Sequence, residues 1–95
     1  MKVTVWNENI AEKEVPMVTE LYPGGIHEYI GGFLKSEDVE VRTATLDDPD
    51  CGLTAQVLSD TDVLIWWGHR AHHLVPDEVA DRVHEAVLRG MGLIV

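Results

Sequence analysis

The chain has 95 residues, of which 45% are hydrophobic and 25% are charged, and its formal net charge at pH 7 is −10. A chain of this length forms one domain at most and has room for only a modest hydrophobic core. No apolar run approaches the roughly 20 residues that span a bilayer, and the negative charge repels phosphate backbones and anionic lipid surfaces. We therefore expect neither nucleic acid nor a membrane as a partner.

The N-terminus and the cysteine content predict where the protein resides. Met1–Trp6 contains one basic residue and runs directly into a strand pattern, without the apolar stretch and cleavage site of a signal peptide. Cys51 is the single cysteine, so no internal disulfide can form. Both features predict a cytoplasmic protein.

The first half of the chain alternates between strand and helix patterns. Lys2–Trp6 has the β-branched and aromatic content of a buried strand, and Val39–Thr43 predicts a second strand. Between them, Ile10–Pro23 is acidic, contains two prolines and has poor periodicity, which predicts a long loop with room for one turn of helix. Ile26–Leu34 follows with the spacing of an amphipathic helix. The buried stripe predicted for this helix consists of Ile26, Tyr29, Ile30, Phe33 and Leu34.

The second half continues the alternation. Thr54–Ser59 predicts a short helix, and the continuous apolar run Val63–Trp67 is typical of a central strand covered on both faces. Pro76 is suited to a helix start, and this helix is predicted to end near Arg89. Gly92–Val95 then begins a fourth strand.

The order β-α-β-α-β-α-β predicts a parallel sheet with right-handed crossovers and helices on both faces. The predicted fold class is therefore α/β, a three-layer open parallel sheet of the flavodoxin-like type. Because the fourth strand coincides with the end of the chain at Val95, we expect residues 1–95 to be a single, partial domain, truncated after that strand. Gly90-Met91-Gly92 precedes a strand instead of following one, so no nucleotide cofactor is predicted.

The segment Asp62–His73 concentrates the residues that are suited to chemistry. An apolar strand ends at Gly68, and three histidines follow at His69, His72 and His73. Open parallel sheets bind ligands outside the carboxyl ends of their strands, so this histidine cluster is predicted to lie at the functional edge. A neutral imidazole at that edge can bind a divalent metal or act as a general acid or base.

Several segments resemble the start of the ThuA-like, trehalose utilisation family. The most specific is Trp66-Trp67-Gly68-His69 with His72, since two tryptophans that close a strand before spaced histidines are improbable by chance. The other segments are Val5–Glu8, Tyr22–His27, Arg42–Asp47 and Arg82–Val95. The resemblance implies a fold like that of class I glutamine amidotransferases and a role in the metabolism of trehalose or a related disaccharide. It also implies a longer protein with a further histidine-containing loop after Val95.

The predicted site combines histidines with one carboxylate. His69 and His72 are the leading catalytic candidates, because their spacing brings both imidazoles together if the loop forms one helical turn; the alternative for His72 is a loop residue that caps the next element. Glu8 leaves the first strand at the same edge, where it can orient an imidazole or polarise a sugar hydroxyl, with loop solvation as the alternative. His27 lies near the start of the first long helix and is predicted either in the site or in packing under the loop.

Two functions follow from these residues and stay open. In the first, the histidine edge performs acid–base chemistry on a small sugar or sugar derivative, with His27, His69 and His72 as candidate ligands of a divalent metal, zinc being the first choice. In the second, the chain is a non-catalytic binding or scaffolding fragment that needs a partner chain to cover its sheet. A homo-oligomer is the expected assembly.

Overall fold

A single parallel sheet organises the molecule. In a computed structural model that describes residues 1–95, the strands are β1 (Lys2–Asn7), β2 (Glu40–Thr45), β3 (Val63–Trp67) and β4 (Gly92–Ile94). All neighbouring strands are parallel, and their order across the sheet is β2-β1-β3-β4. The predicted open α/β sheet is therefore confirmed, with β1 and β3 as its central strands.

Five α-helices connect or follow the strands: α1 (Ala11–Glu14), α2 (Pro16–Leu21), α3 (Ile26–Leu34), α4 (Ala55–Ser59) and α5 (Asp77–Leu88). Short 3₁₀ turns cover Pro49–Gly52 and His72–Leu74. No helix combines the length and the apolar character that a membrane span requires.

The prediction of a long loop over Ile10–Pro23 is wrong, because α1 and α2 occupy most of that segment. Pro16 stands at the start of α2, where its fixed φ suits a first helical turn and its missing N–H costs nothing. The same proline cannot continue α1, so the two helices are separate. Each is too short to show the periodicity by which a helix is recognised in a sequence.

Helices cover both faces of the sheet. On one face, Trp6 and Leu64 pack in the main core with residues of α5 such as Val79 and Val83. On the other face, α3 contacts β1 and β2. Side chains of a strand alternate between the two faces, so the β2 residues under α3 are those that point away from the main core. This arrangement confirms the predicted three layers.

The buried stripe predicted for α3 is wrong at Tyr29 and Phe33, which are 67% and 86% exposed. The helix instead buries His27 and Gly31. A Cβ added at Gly31 would lie 3.2 Å from Cγ1 of Val41, so glycine at this position lets the helix lie close to β2. The helix is thus rotated so that Gly31 faces the sheet and its two aromatic residues face solvent.

Candidate functional site

The loops that follow β1 and β3 leave the sheet in opposite directions. The chain passes from β1 to β2 on one side, and from β3 to β4 on the other side. The position between two such strands is called the topological switch point. Open α/β sheets bind ligands there, in the crevice outside the carboxyl ends of the two strands. Glu8 follows β1 at this position, and the loop Gly68–Ala71 follows β3.

Glu8 joins the two loops. Its side chain is almost fully buried, and its Oε1 accepts a hydrogen bond from the backbone N–H of Arg70 at 2.9 Å. Its Oε2 accepts a hydrogen bond from the backbone N–H of Ala71 at 2.8 Å. These two hydrogen bonds hold the loop that carries His69. The geometry therefore gives Glu8 a positioning role, and direct catalysis by Glu8 stays a prediction.

The β3 side of the edge is open to solvent. His69 and His72 are both exposed, and the 3₁₀ turn begins at His72, so the predicted helical turn does not include both histidines. A Cβ added at Gly68 would overlap the imidazole of His72 and lie 2.7 Å from Nε1 of Trp66. Glycine at this position therefore allows His72 to fold back over the end of β3.

The β1 side of the edge holds a buried polar network. Nδ2 of Asn7 donates to Oε2 of Glu12 at 2.5 Å and lies 3.1 Å from Nδ1 of His27. The Oδ1 of Asn7 accepts from the backbone N–H of Asn9 at 3.0 Å, and Oε2 of Glu12 also accepts from the backbone N–H of Ile26 at 2.9 Å. These bonds connect β1, α1 and α3 under the same edge.

Trp67 supplies an exposed aromatic ring at this edge. It pairs in register with Asn7, so strand alternation places both side chains on the α3 face. Trp67 is 43% exposed, whereas its neighbour Trp66 stacks on Trp6 with ring centroids 4.0 Å apart. Trp66 therefore packs against the core, whereas the exposed ring of Trp67 can pack against the apolar face of a ligand.

A comparison with known protein families matches the ThuA model, described as trehalose utilisation, over residues 2–95. This match covers almost the whole chain. The chain belongs to the ThuA family. The open parallel sheet is the type of fold that ThuA proteins have, as the sequence resemblance implied. A comparison with curated proteins gives no match.

The ThuA chain does not gather the predicted metal ligands into one group. No set of three or more His, Cys, Asp and Glu side chains is arranged to hold a metal ion. His27 is buried in the Asn7 network, while His69 and His72 lie exposed in the loop after β3. These three histidines therefore do not form one group of ligands, and zinc binding stays a prediction.

Glu12 is the buried residue that sequence reasoning missed in this ThuA domain. It falls in the segment predicted as a loop, where an acidic residue is ordinarily solvated. The α1 helix returns it over the end of β1, where it is 7% exposed and contacts Asn7. The short helix that brings it there left no periodic signal in the sequence.

Cys51 does not belong to the chemistry of the ThuA edge. It is buried in the main core, and its carbonyl oxygen accepts a hydrogen bond from Nε1 of Trp6 at 3.0 Å. Burial and the nearby carboxylates of Asp50 and Asp48 raise the pKa of the Cys51 thiol. A thiol that stays protonated is a poor nucleophile, and the contacts of Cys51 in the core are those of a packing residue.

Proposed function

We propose that this ThuA domain binds a small sugar, trehalose or a related disaccharide, in the crevice between Glu8 and the loop Gly68–Ala71. The observation that carries the proposal is the pair of hydrogen bonds from Arg70 and Ala71 to the buried Glu8 carboxylate, which orders both loops of the switch. The family description suggests the class of substrate. The hydrogen bonds between Glu8 and the loop Gly68–Ala71 suggest the position of the binding site.

Each part of the edge has a chemical role in this proposal. His69 and His72 are exposed, and an imidazole can donate or accept a proton during a reaction on a sugar. Glu8 holds the backbone between these two histidines through its hydrogen bonds to Arg70 and Ala71. Trp67 offers its exposed ring to the apolar face of the sugar.

Titration of the protein with trehalose and related disaccharides, followed by NMR and calorimetry, tests the proposal. We expect chemical-shift changes at the backbone amides around Glu8 and Gly68–Ala71. For a disaccharide that the protein converts, we expect the rate of turnover to fall about 10²–10⁴-fold in His69→Ala, the usual contribution of a general acid or base. His84→Ala is the matched control, because His84 lies exposed on α5. Equal behaviour of the two variants, or no disaccharide that shifts the edge, would refute the proposal.

Metal binding is tested separately, because no step above depends on a metal. Calorimetric titration with zinc compares the wild-type protein with His69→Ala and His72→Ala. A binding isotherm that both variants lose supports the zinc prediction. Isotherms that the variants leave unchanged remove His69 and His72 as ligands.

The β4 end of the sheet favours a second candidate function, a binding or scaffolding module that associates with a partner chain. β4 is a three-residue edge strand, and Leu93, Ile94 and Val95 are 41%, 57% and 88% exposed. A cavity of about 220 Å³ opens beside them. Its lining is apolar throughout and consists of Trp66, Ala80, Val83, Leu93 and Val95. Exposed apolar surface of this kind marks sites of association.

Light scattering tests this second candidate with another copy of the chain as the partner. We expect a dimer that Ile94→Lys converts to a monomer. Phe33→Lys is the control, because Phe33 is exposed on α3, away from β4. A wild-type protein that is monomeric at all concentrations would exclude self-association as the function of this surface.

A further inference from the structure

We infer that Asn7 and Glu12 hold His27 as the neutral tautomer with its proton on Nε2, so that His27 serves the edge as a hydrogen-bond donor and not as a metal ligand. The tautomer follows from the hydrogen bonds alone. The role of the Nε2–H of His27 as a donor to a sugar ligand rests on the proposed function. Asn7 and Glu12 are positioning residues in this arrangement, since they act through His27.

The orientation of the Asn7 amide is the first step. An amide oxygen and nitrogen are assigned from the hydrogen bonds around them. Oδ1 accepts from the backbone N–H of Asn9, and Nδ2 donates to the carboxylate of Glu12. A flipped amide would place a donor against the Asn9 N–H and an oxygen against the Glu12 carboxylate. The nitrogen of Asn7 therefore faces His27.

The protonation of His27 follows from that orientation. Nδ2 carries two hydrogens, of which one is directed to Glu12 and the other to Nδ1 of His27 at 3.1 Å. Nδ1 can accept this hydrogen bond only with a free lone pair, so the proton of the neutral ring is on Nε2. Glu12 is itself held by the backbone N–H of Ile26, directly before His27 in the chain.

Nε2 of His27 is available to a ligand. Its distance to Oε1 of Glu28 is 3.8 Å, which is too long for a hydrogen bond. Every side-chain nitrogen or oxygen that is sealed from solvent has a partner, so the unpartnered Nε2 reaches solvent. Oε1 of Glu28 accepts from Oγ1 of Thr43 at 2.9 Å, and a carboxylate oxygen can accept a second hydrogen bond. A hydroxyl group both accepts and donates, so one sugar hydroxyl can bind between the Nε2–H of His27 and the Glu28 carboxylate.

The same arrangement is unsuited to metal ligation. A histidine that binds a metal through one nitrogen ordinarily donates the N–H of its other nitrogen to a carboxylate, a carbonyl or a water molecule. The partner of Nδ1 is instead the donor Nδ2 of Asn7. A metal at Nε2 needs the lone pair of that nitrogen, so the ring proton would have to move to Nδ1, where it would meet the N–H of Asn7. The hydrogen bonds therefore favour a proton on Nε2 over a metal.

Long-range ¹H–¹⁵N correlation spectra of ¹⁵N-histidine-labelled protein report the tautomer directly. In the wild type we expect His27 to show a protonated Nε2 and an unprotonated Nδ1, with no change on addition of zinc. In Asn7→Asp a carboxylate acceptor replaces the donor that faces Nδ1, so we expect Nδ1 to become protonated. Protonation of Nδ1 in the wild type, or zinc-induced shifts of His27, would overturn the inference.

Two further variants separate the hydrogen bond from other effects. Asn9→Asp adds the same charge two residues further along the chain but leaves the Asn7 amide in place, so we expect the tautomer of His27 to be unchanged. Asn7→Asp places a carboxylate beside that of Glu12, so the double variant Asn7→Asp with Glu12→Gln provides a folded form without this repulsion. An Nδ1 that stays unprotonated in the double variant, or that becomes protonated in Asn9→Asp, counts against the role of Asn7.

The spectra without sugar test the tautomer of His27, and the sugar titration tests the proposed function, so either hypothesis can be refuted without the other. If His27 has the expected tautomer and no disaccharide binds, the proposed function falls while the assignment of the proton stands. If a disaccharide binds while Nδ1 carries the proton, the inference on His27 falls alone. When both hold, we expect Asn7→Asp to weaken disaccharide binding by about tenfold, a loss of roughly 1.4 kcal/mol.

Discussion

The two ends of the sheet use the same kinds of charged groups with opposite physical consequences. At the carboxyl end, Glu8 and Glu12 are buried, and each carboxylate accepts two hydrogen bonds, so they order the chain around them. At the amino end, the Lys2–Asp60 pair has an N–O distance of 2.6 Å, but both side chains are about half exposed. Burial thus decides whether a carboxylate organises the backbone or makes a solvent-screened pair.

Replacement of Glu8 is expected to have the largest effect. Glu8→Ala removes the acceptor of two backbone N–H groups and leaves the buried donor of Ala71 unpaired, so we expect the free energy of unfolding to fall by roughly 3 kcal/mol. Chemical denaturation measures this loss, and hydrogen exchange at Arg70 and Ala71 locates it. Glu37→Ala, at an exposed position, is the control. Equal losses in both variants would remove the contrast between the two ends.

Replacement of Gly25 ranks second. Gly25 and Gly90 both have positive φ, +94° and +115°, but only a Cβ at Gly25 would meet a neighbour, the imidazole of His27. Gly90→Ala therefore measures backbone strain alone, about 1 kcal/mol, and Gly25→Ala is expected to cost roughly 2–3 kcal/mol. The difference between the denaturation midpoints of the two variants measures how tightly His27 is packed at the carboxyl end of the sheet. A larger loss in Gly90→Ala would contradict it.

The amino end is expected to give the smallest effect and a defined pH dependence. The hydrogen bond from Lys2 lowers the pKa of Asp60, and the same hydrogen bond, with the charge of Asp60, raises the pKa of Lys2. The contribution of Asp60 is full above the ordinary carboxyl range near pH 4 and is lost as the pH falls further; that of Lys2 is lost only as the pH rises above its raised pKa.

Thermal melts of the wild type and Asp60→Asn between pH 2 and 8 check this prediction. Because the pair is exposed, we expect a small difference in Tm near neutral pH that disappears at low pH, where Asp60 is protonated in both folded and unfolded chains. A large difference, or one that grows toward acid pH, would show that the amino end is organised as strongly as the carboxyl end.

The strands and the histidine edge were predictable because their signals are local. The apolar run Val63–Trp67 and the following Gly68 and His69 are contiguous in sequence, and the order of elements implies a parallel sheet. α1 and α2 were missed because neither is long enough to show a period. The exposed Tyr29 and Phe33 could not be foreseen, since the face of α3 that docks depends on how closely Gly31 approaches β2.

The sequence by itself determined the alternating α/β order, the ThuA resemblance and the positions of Glu8, His69 and His72 at strand ends. Only the tertiary structure decided that β1 lies between β2 and β3, that Glu8 holds the loop after β3, and that Glu12 lies against Asn7 and His27. The physical reason is the range of the interactions. Periodicity and turn chemistry act over a few residues, whereas a buried carboxylate is satisfied by donors that only the folded chain brings to it.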